Sequence, residues 1–179
     1  MLTMRLRTLV SKTIGLSVLP FFLGCAKDHG KPIATLSYGA ITAQADGSFY
    51  DLRFRSDLDL IHLFGPGEGF IGGRMNCALD NDVDFSVGHF MQMSASGFIE
   101  NHGEHRAGGD HEFVSALSFK ETFNEGSTTR WLSTEEIRSL LADKASIPCR
   151  YVATIFGTKP YYSGVLRVPT NDILRELNK

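Results

Sequence analysis

The chain has 179 residues with 18 basic and 20 acidic side chains, a formal net charge of −2, and 13 Phe among them. That aromatic content argues for a packed core and against a disordered tail. A mildly acidic chain has no electrostatic reason to seek nucleic acid, so no nucleic-acid partner is expected.

Arg5, Arg7 and Lys12 open the chain, with no acidic residue before position 25. Residues 13–23 (TIGLSVLPFFL) form a short apolar run containing Pro20, and Phe22-Leu23-Gly24-Cys25 closes it. A spanning helix needs about 20 apolar residues, roughly twice this run. A basic, apolar and then small-residue-Cys leader resembles the signal peptide of a bacterial lipoprotein. A membrane span and plain secretion with an incidental Cys25 are the alternatives.

The resemblance implies cleavage before Cys25, lipidation of that thiol, and a membrane anchor of at least two acyl chains. Residues 1–24 are then the signal peptide, 25–32 a lipidated tether (Ala26 to Pro32 is polar, with Gly30 and Pro32) and 33–179 a single globular domain. Because Ala26, not Asp, follows the cysteine, the resemblance points to the outer membrane with the domain facing the periplasm. The leader would remove three of the 18 basic residues, leaving 15 against 20 acidic, a net −5; such a balance favours a basic partner. With Cys25 lipidated in an oxidising compartment, Cys77 and Cys149 remain as one possible disulfide; two unpaired buried thiols are the alternative.

Residues 40–45 lead into Asp46-Gly47, a strong hairpin turn signal, and then into 49–55. There Tyr50, Leu52 and Phe54 alternate with Asp51, Arg53 and Arg55, the pattern of a strand with one solvated face. A further short strand is expected over 60–64. Gly67-Glu68-Gly69-Phe70-Ile71-Gly72 fits G-x-G-x-x-G, but a period-2 pattern follows it instead of a helix, so a turn is expected and not a dinucleotide site. Strands are expected at 70–79, 83–93 and 112–123, with Asp80, Asp82 and Asp84 making a charged turn that lacks the glycine and distal glutamate of a calcium loop.

The helices come last. Ser133 and Glu136 form a capping-box pattern opening a helix over 134–142, and Pro148 precedes a strand at 149–156. A strand at 165–168 leads to a C-terminal helix with Thr170 as its expected N-cap. The fold class is α+β, mainly antiparallel β of about eight strands, as a sandwich or a single curled sheet, with two short helices in the last third.

Three candidate chemistries arise. His102, His105 and His111, with Glu104, Asp110 and Glu112 near them, are the densest set of metal-ligand side chains; zinc is the ion they suit, although H-x2-H-x5-H matches no mechanical metal signature and a solvated loop is the plainer reading. Tyr161 and Tyr162 offer an aromatic partner contact. No catalytic motif or resident cofactor is indicated. The expectation is therefore a lipid-anchored periplasmic binding module that recognises another macromolecule, as an immunity- or inhibitor-type lipoprotein or an envelope-assembly accessory. Its partners would be the membrane, through the lipid, and a periplasmic or envelope protein. The alternative is a metal-assisted envelope hydrolase using the loop from His102 to Glu112.

Overall fold

A computed structural model describes residues 26–45, 47–103 and 109–178. The first hairpin is the one the alternation predicts. Strand β1 (Leu36–Ala43) pairs antiparallel with β2 (Tyr50–Ser56). Gly47 takes φ +69 in the turn, a conformation that suits glycine. Tyr50, Leu52 and Phe54 are buried, while Arg53 and Arg55 face out.

Strand β3 (Phe70–Ala78), β4 (Met93–Asn101) and β5 (His111–Phe123) extend this hairpin into one sheet. The thirteen residues of β5 let it pair with β2 along its first half, with β4 along most of its length, and with β6 (Thr128–Trp131) at its far end. On the other side β3 pairs with β7 (Ser146–Ile155); β7 pairs in turn with β9 (Leu166–Pro169) near its start and β8 (Tyr161–Tyr162) near its end. Every pairing between these strands is antiparallel, and the path runs β1-β2-β5-β4-β3-β7-β8.

The sheet curls into a half-barrel. Helix α2 (Thr170–Glu176) packs against β1, where Tyr38 Oη donates to Asp172 Oδ2 at 2.8 Å and Ala43 N to Glu176 Oε2 at 3.2 Å. Burial and the Asp172 carboxylate raise the Tyr38 pKa, so its hydroxyl stays a donor. The concave face is the core, with Leu52, Phe54, Met75, Phe113, Leu117 and Tyr151 all nearly inaccessible. Each large apolar side chain so buried contributes about 1.5–3 kcal/mol. Gly73 is required here, because a Cβ at that position would collide with the Tyr151 phenol.

Helix α1 (Thr134–Leu141) has the capping box its sequence predicts. Glu136 N donates to Ser133 Oγ at 3.3 Å, and Ser133 N donates to Glu136 Oε2 at 2.8 Å. Ile137 and Leu141 are buried beneath it. Among the described residues no helix is long and apolar enough to cross a membrane.

Several expectations differ from the structure. Residues 60–64 form no strand: Asp59 Oδ1 accepts from Ile61 N and His62 N at 3.2 Å, a local bond set that replaces a ladder. Leu60 and Phe64 still reach the core. No strand forms over 83–92 either, and β4 starts only at Met93. Pro148 lies inside β7, one residue before the Cys149–Cys77 pair that begins its register with β3. Pro169, not Thr170, holds the N-cap of α2, because the Thr170 hydroxyl instead donates to Lys144 O.

The segment expected to be a tether is laid along the domain. Lys27 forms a bridge with Thr158, and Lys159 N donates to Lys27 O at 2.9 Å. The His29 ring packs edge-on against Tyr161 and Phe64, and Lys31 Nζ lies 2.9 Å from Glu68 Oε2. Cys25 lies outside the described residues.

Candidate functional site

The convex face of the sheet carries the polar half of each alternation. Arg74 and Asn76 project there from β3, and Phe98, Ser96 and Ser94 lie opposite them or the next position on β4. Lys120 of β5 stands beside Ser94. Three strands thus bring Arg74, Phe98 and Lys120 together from positions up to 46 residues apart.

Residues 79–92, which leave β3 and return to β4, cross over this face as a strap. The charged turn expected at Asp80, Asp82 and Asp84 is a stair of aspartate-backbone bonds. Asp82 N donates to Asp80 Oδ1 at 2.9 Å, Asp84 N to Asp82 Oδ1 at 3.2 Å, and Ser86 N to Asp84 Oδ1 at 2.9 Å. Each bond satisfies a backbone donor that a strand would have given to a neighbour.

The strap is pinned from three sides. Val87 N donates to Tyr162 Oη at 3.0 Å. The Phe90 ring rests where a Cβ on Gly126 would stand, and Gly126 has φ +89, so only glycine serves there without strain. His89 Nε2 lies 2.6 Å from Asp82 Oδ2, and His89 Nδ1 lies 4.0 Å from Asp84 Oδ2. The hydrogen bond that His89 donates to Asp82, with the two carboxylate charges, raises the His89 pKa; the same bond lowers that of Asp82. His89 is therefore a clasp inside the strap, and the carboxylates favour its cationic form. Its side-chain partners among the described residues are these carboxylates, an arrangement suited to holding the strap.

Under the strap is a cleft of about 480 Å³. Its floor includes Arg74, Asn76 and Lys120; its rim includes Ile71, Val87, Phe90 and Phe98, all at least half exposed. The Arg74 guanidinium stacks over Phe98 with its carbon 4.8 Å from the ring centre. Burial, and secondly the charge of Arg74, push the Lys120 pKa down. Neither cation makes an ion pair among the described residues. A second cleft of about 410 Å³ shares Asp84, Phe85 and Ser86 with the first. It is lined by Arg150, Arg167 and Tyr162, and Arg150 Nε is buried there without a hydrogen-bond partner. Among the described residues, six of the ten exposed large apolar side chains line one cleft or the other. The combination is chemically specific: unpaired cations beneath an apolar rim suit a ligand bearing both a carboxylate or similar anion and apolar groups.

The residues proposed from sequence fall elsewhere. His102 follows β4, with its N donating to Glu112 O at 2.8 Å, and His111 begins β5 opposite Ser56. They flank one hairpin; His105 lies outside the described residues. Among the described residues no group of three His, Cys, Asp or Glu side chains could hold a metal ion. Tyr161 is wholly buried, its hydroxyl accepting from Ala34 N at 2.8 Å and donating to Pro32 O at 3.0 Å, so it presents no surface to a partner. Tyr162 keeps part of its surface and lines the second cleft. Cys77 and Cys149 sit directly opposite in the β3–β7 register, both fully buried, as a disulfide with Cα atoms 4.0 Å apart.

Arg74, Lys120, Phe98 and Arg150 are the residues that sequence reading passed over. The signal available for them was weak: outward positions in strands, which ordinarily carry solvated charges. Comparison with protein-family models, with curated proteins and with solved structures gives no match for this chain.

Proposed function

We propose that this chain is a lipid-anchored binding module of the cell envelope, and that its ligand is an acidic, apolar-flanked segment of another envelope protein seated beneath the strap. The observation that carries the reading is the pair Arg74 and Lys120, two cations without ion-pair partners among the described residues, on the floor of a cleft with an apolar rim. A carboxylate entering there would relieve the like-charge contact and restore the proton affinity that burial takes from Lys120. Apolar neighbours of that carboxylate would cover Ile71, Val87, Phe90 and Phe98.

The net acidity of the chain, which favours a basic partner, is a global average; the local charge at the cleft is opposite and governs the contact. The envelope address rests on the resemblance of the leader ending at Cys25, with the outer membrane and a periplasm-facing domain as its location. An inhibitor- or immunity-type lipoprotein and an assembly accessory both work in this manner.

The test is affinity capture from envelope extract with the full-length protein and with the double variant Arg74→Glu/Lys120→Glu. A hydrogen bond to a charged group is worth about 1.5–3 kcal/mol, so losing one such bond weakens binding by about 10- to 100-fold and reversing both charges weakens it by at least that much. Arg74 is exposed and Lys120 half-buried, so the melting temperature of the variant is measured beside capture, and the comparison is made at a temperature where both proteins are folded. Equal capture by both proteins refutes the proposal.

A further inference from the structure

The route by which the chain joins the domain determines how closely the domain can approach a membrane. Lys27 is already bridged to Thr158 in the connection between β7 and β8, and Lys159 N donates to its carbonyl at 2.9 Å. Beyond it, His29, Lys31, Pro32 and Ala34 are each held by the domain through ring contacts, an ion pair or hydrogen bonds. Cys25 precedes Lys27 by two residues, and two residues of extended chain reach roughly 7 Å. An anchor on Cys25 therefore leaves almost no slack.

The surface at this point is unusual. Phe156 is 80 % exposed and Phe70 45 % exposed. They leave the same end of one ladder, because Phe70 pairs with Ile155 and Phe156 N donates to Gly69 O at 2.8 Å. Beside them Lys27 and Lys159 are exposed and form no ion pair among the described residues. Aromatic rings next to unpaired lysines suit the headgroup boundary of a bilayer, where rings sink below the phosphates and ammonium groups meet them.

We infer that the end of the β3–β7 ladder bearing Phe70 and Phe156, with Lys27 and Lys159 beside it, rests directly on the lipid bilayer. The inference depends on the lipidation of Cys25 proposed above and goes beyond it: the anchor acts as a rivet, not a leash, and fixes the domain's orientation. The cleft begins at Ile71, the residue after Phe70, so its near end opens beside the bilayer.

Depth-dependent quenching tests this. The full chain is expressed with its leader, purified, and placed in phosphatidylcholine–phosphatidylglycerol vesicles with or without brominated acyl chains. Trp131 is a built-in control: it pairs with Lys120, which pairs with Ser94, which pairs with Ala78, at the opposite end of β3 from Phe70. The eight steps from Phe70 to Ala78 span roughly 26 Å. A second protein carries Trp131→Phe with Phe156→Trp, and a third Trp131→Phe with Phe70→Trp. Interfacial side chains lie about 5–10 Å into the boundary, so brominated lipid quenches the indole at position 156 or 70 about twofold and leaves Trp131 unchanged. If intact mass shows acyl chains on Cys25 but both placed indoles behave as Trp131 does, the orientation is wrong and the anchor stands. An unmodified Cys25 removes the anchor and the inference together.

Discussion

Removing the Cys77–Cys149 bridge is the perturbation with the most predictable magnitude. The two residues are separated by 72 positions. In the chain-entropy account, opening a loop of that length adds about 15 cal/mol/K to the unfolded chain, or about 4 kcal/mol at 25 °C. Neither cysteine is accessible, so folding shields the bridge from reductant, and its loss acts through the entropy of the unfolded chain. Domains of this size shift by about 2–4 °C per kcal/mol, which gives a fall of about 8–16 °C in melting temperature. The assay is calorimetry or urea unfolding of the wild type against Cys77→Ala/Cys149→Ala, with intact mass confirming that the wild type has lost two hydrogens. Single substitutions leave a buried free thiol and are less clean. A confirmed bridge whose removal costs under about 1 kcal/mol would refute the entropic reasoning.

The clasp in the strap carries a pH dependence of definite sign. Because the folded His89 pKa lies above its ordinary value, its contribution is complete below about 6.5 and is lost as pH rises through the folded value. Imidazole NMR shifts should give a midpoint above 6.5 that falls back in Asp82→Asn; equal midpoints in both proteins would exclude the clasp. Gly126→Ala forces a side chain into the space of the Phe90 ring at a positive φ, a strain of about 1–3 kcal/mol. Amide exchange across residues 79–92 should quicken, while β5 and β7 stay protected. At α1, Ser133→Ala removes the acceptor for Glu136 N and costs about 0.5–2 kcal/mol by urea unfolding.

Much of the frame was legible because local signals and the tertiary fold agree. The β1–β2 hairpin follows from strict alternation and the glycine after Asp46; β5 follows from Phe113, Leu117 and Phe119; α1 follows from Ser133 and Glu136. The strap was not legible. Val83, Phe85 and Val87 alternate as a strand would, and only the bonding choice of Asp80, Asp82 and Asp84 makes the segment irregular. β4 was hidden for the converse reason: Ser94, Ser96 and Gly97 have little strand preference, and the strand exists because two long neighbours supply its partners. Gly97 in particular is fixed by tertiary packing, since a Cβ there would strike Ala116 O.

The cleft was illegible in a deeper sense. Arg74 and Lys120 meet only through the register of three strands, and neither has a distinctive neighbour in sequence. The histidines stand out because they are close in sequence, yet His102 lies just past the end of β4 and His111 at the start of β5, on either side of one hairpin loop. Replacing both by Ala leaves partner capture unchanged if the cleft is the binding site.

A photoreactive benzophenone side chain in place of Phe98, at the cleft rim, and in a second protein in place of Glu135 on α1, addresses the binding reading most directly. Illumination of intact cells followed by mass spectrometry should yield one partner adduct at position 98, mapped to a segment with an acidic residue among apolar ones, and no adduct at position 135. An adduct at 135 with none at 98, or one at 98 mapped to a basic segment, would contradict the account.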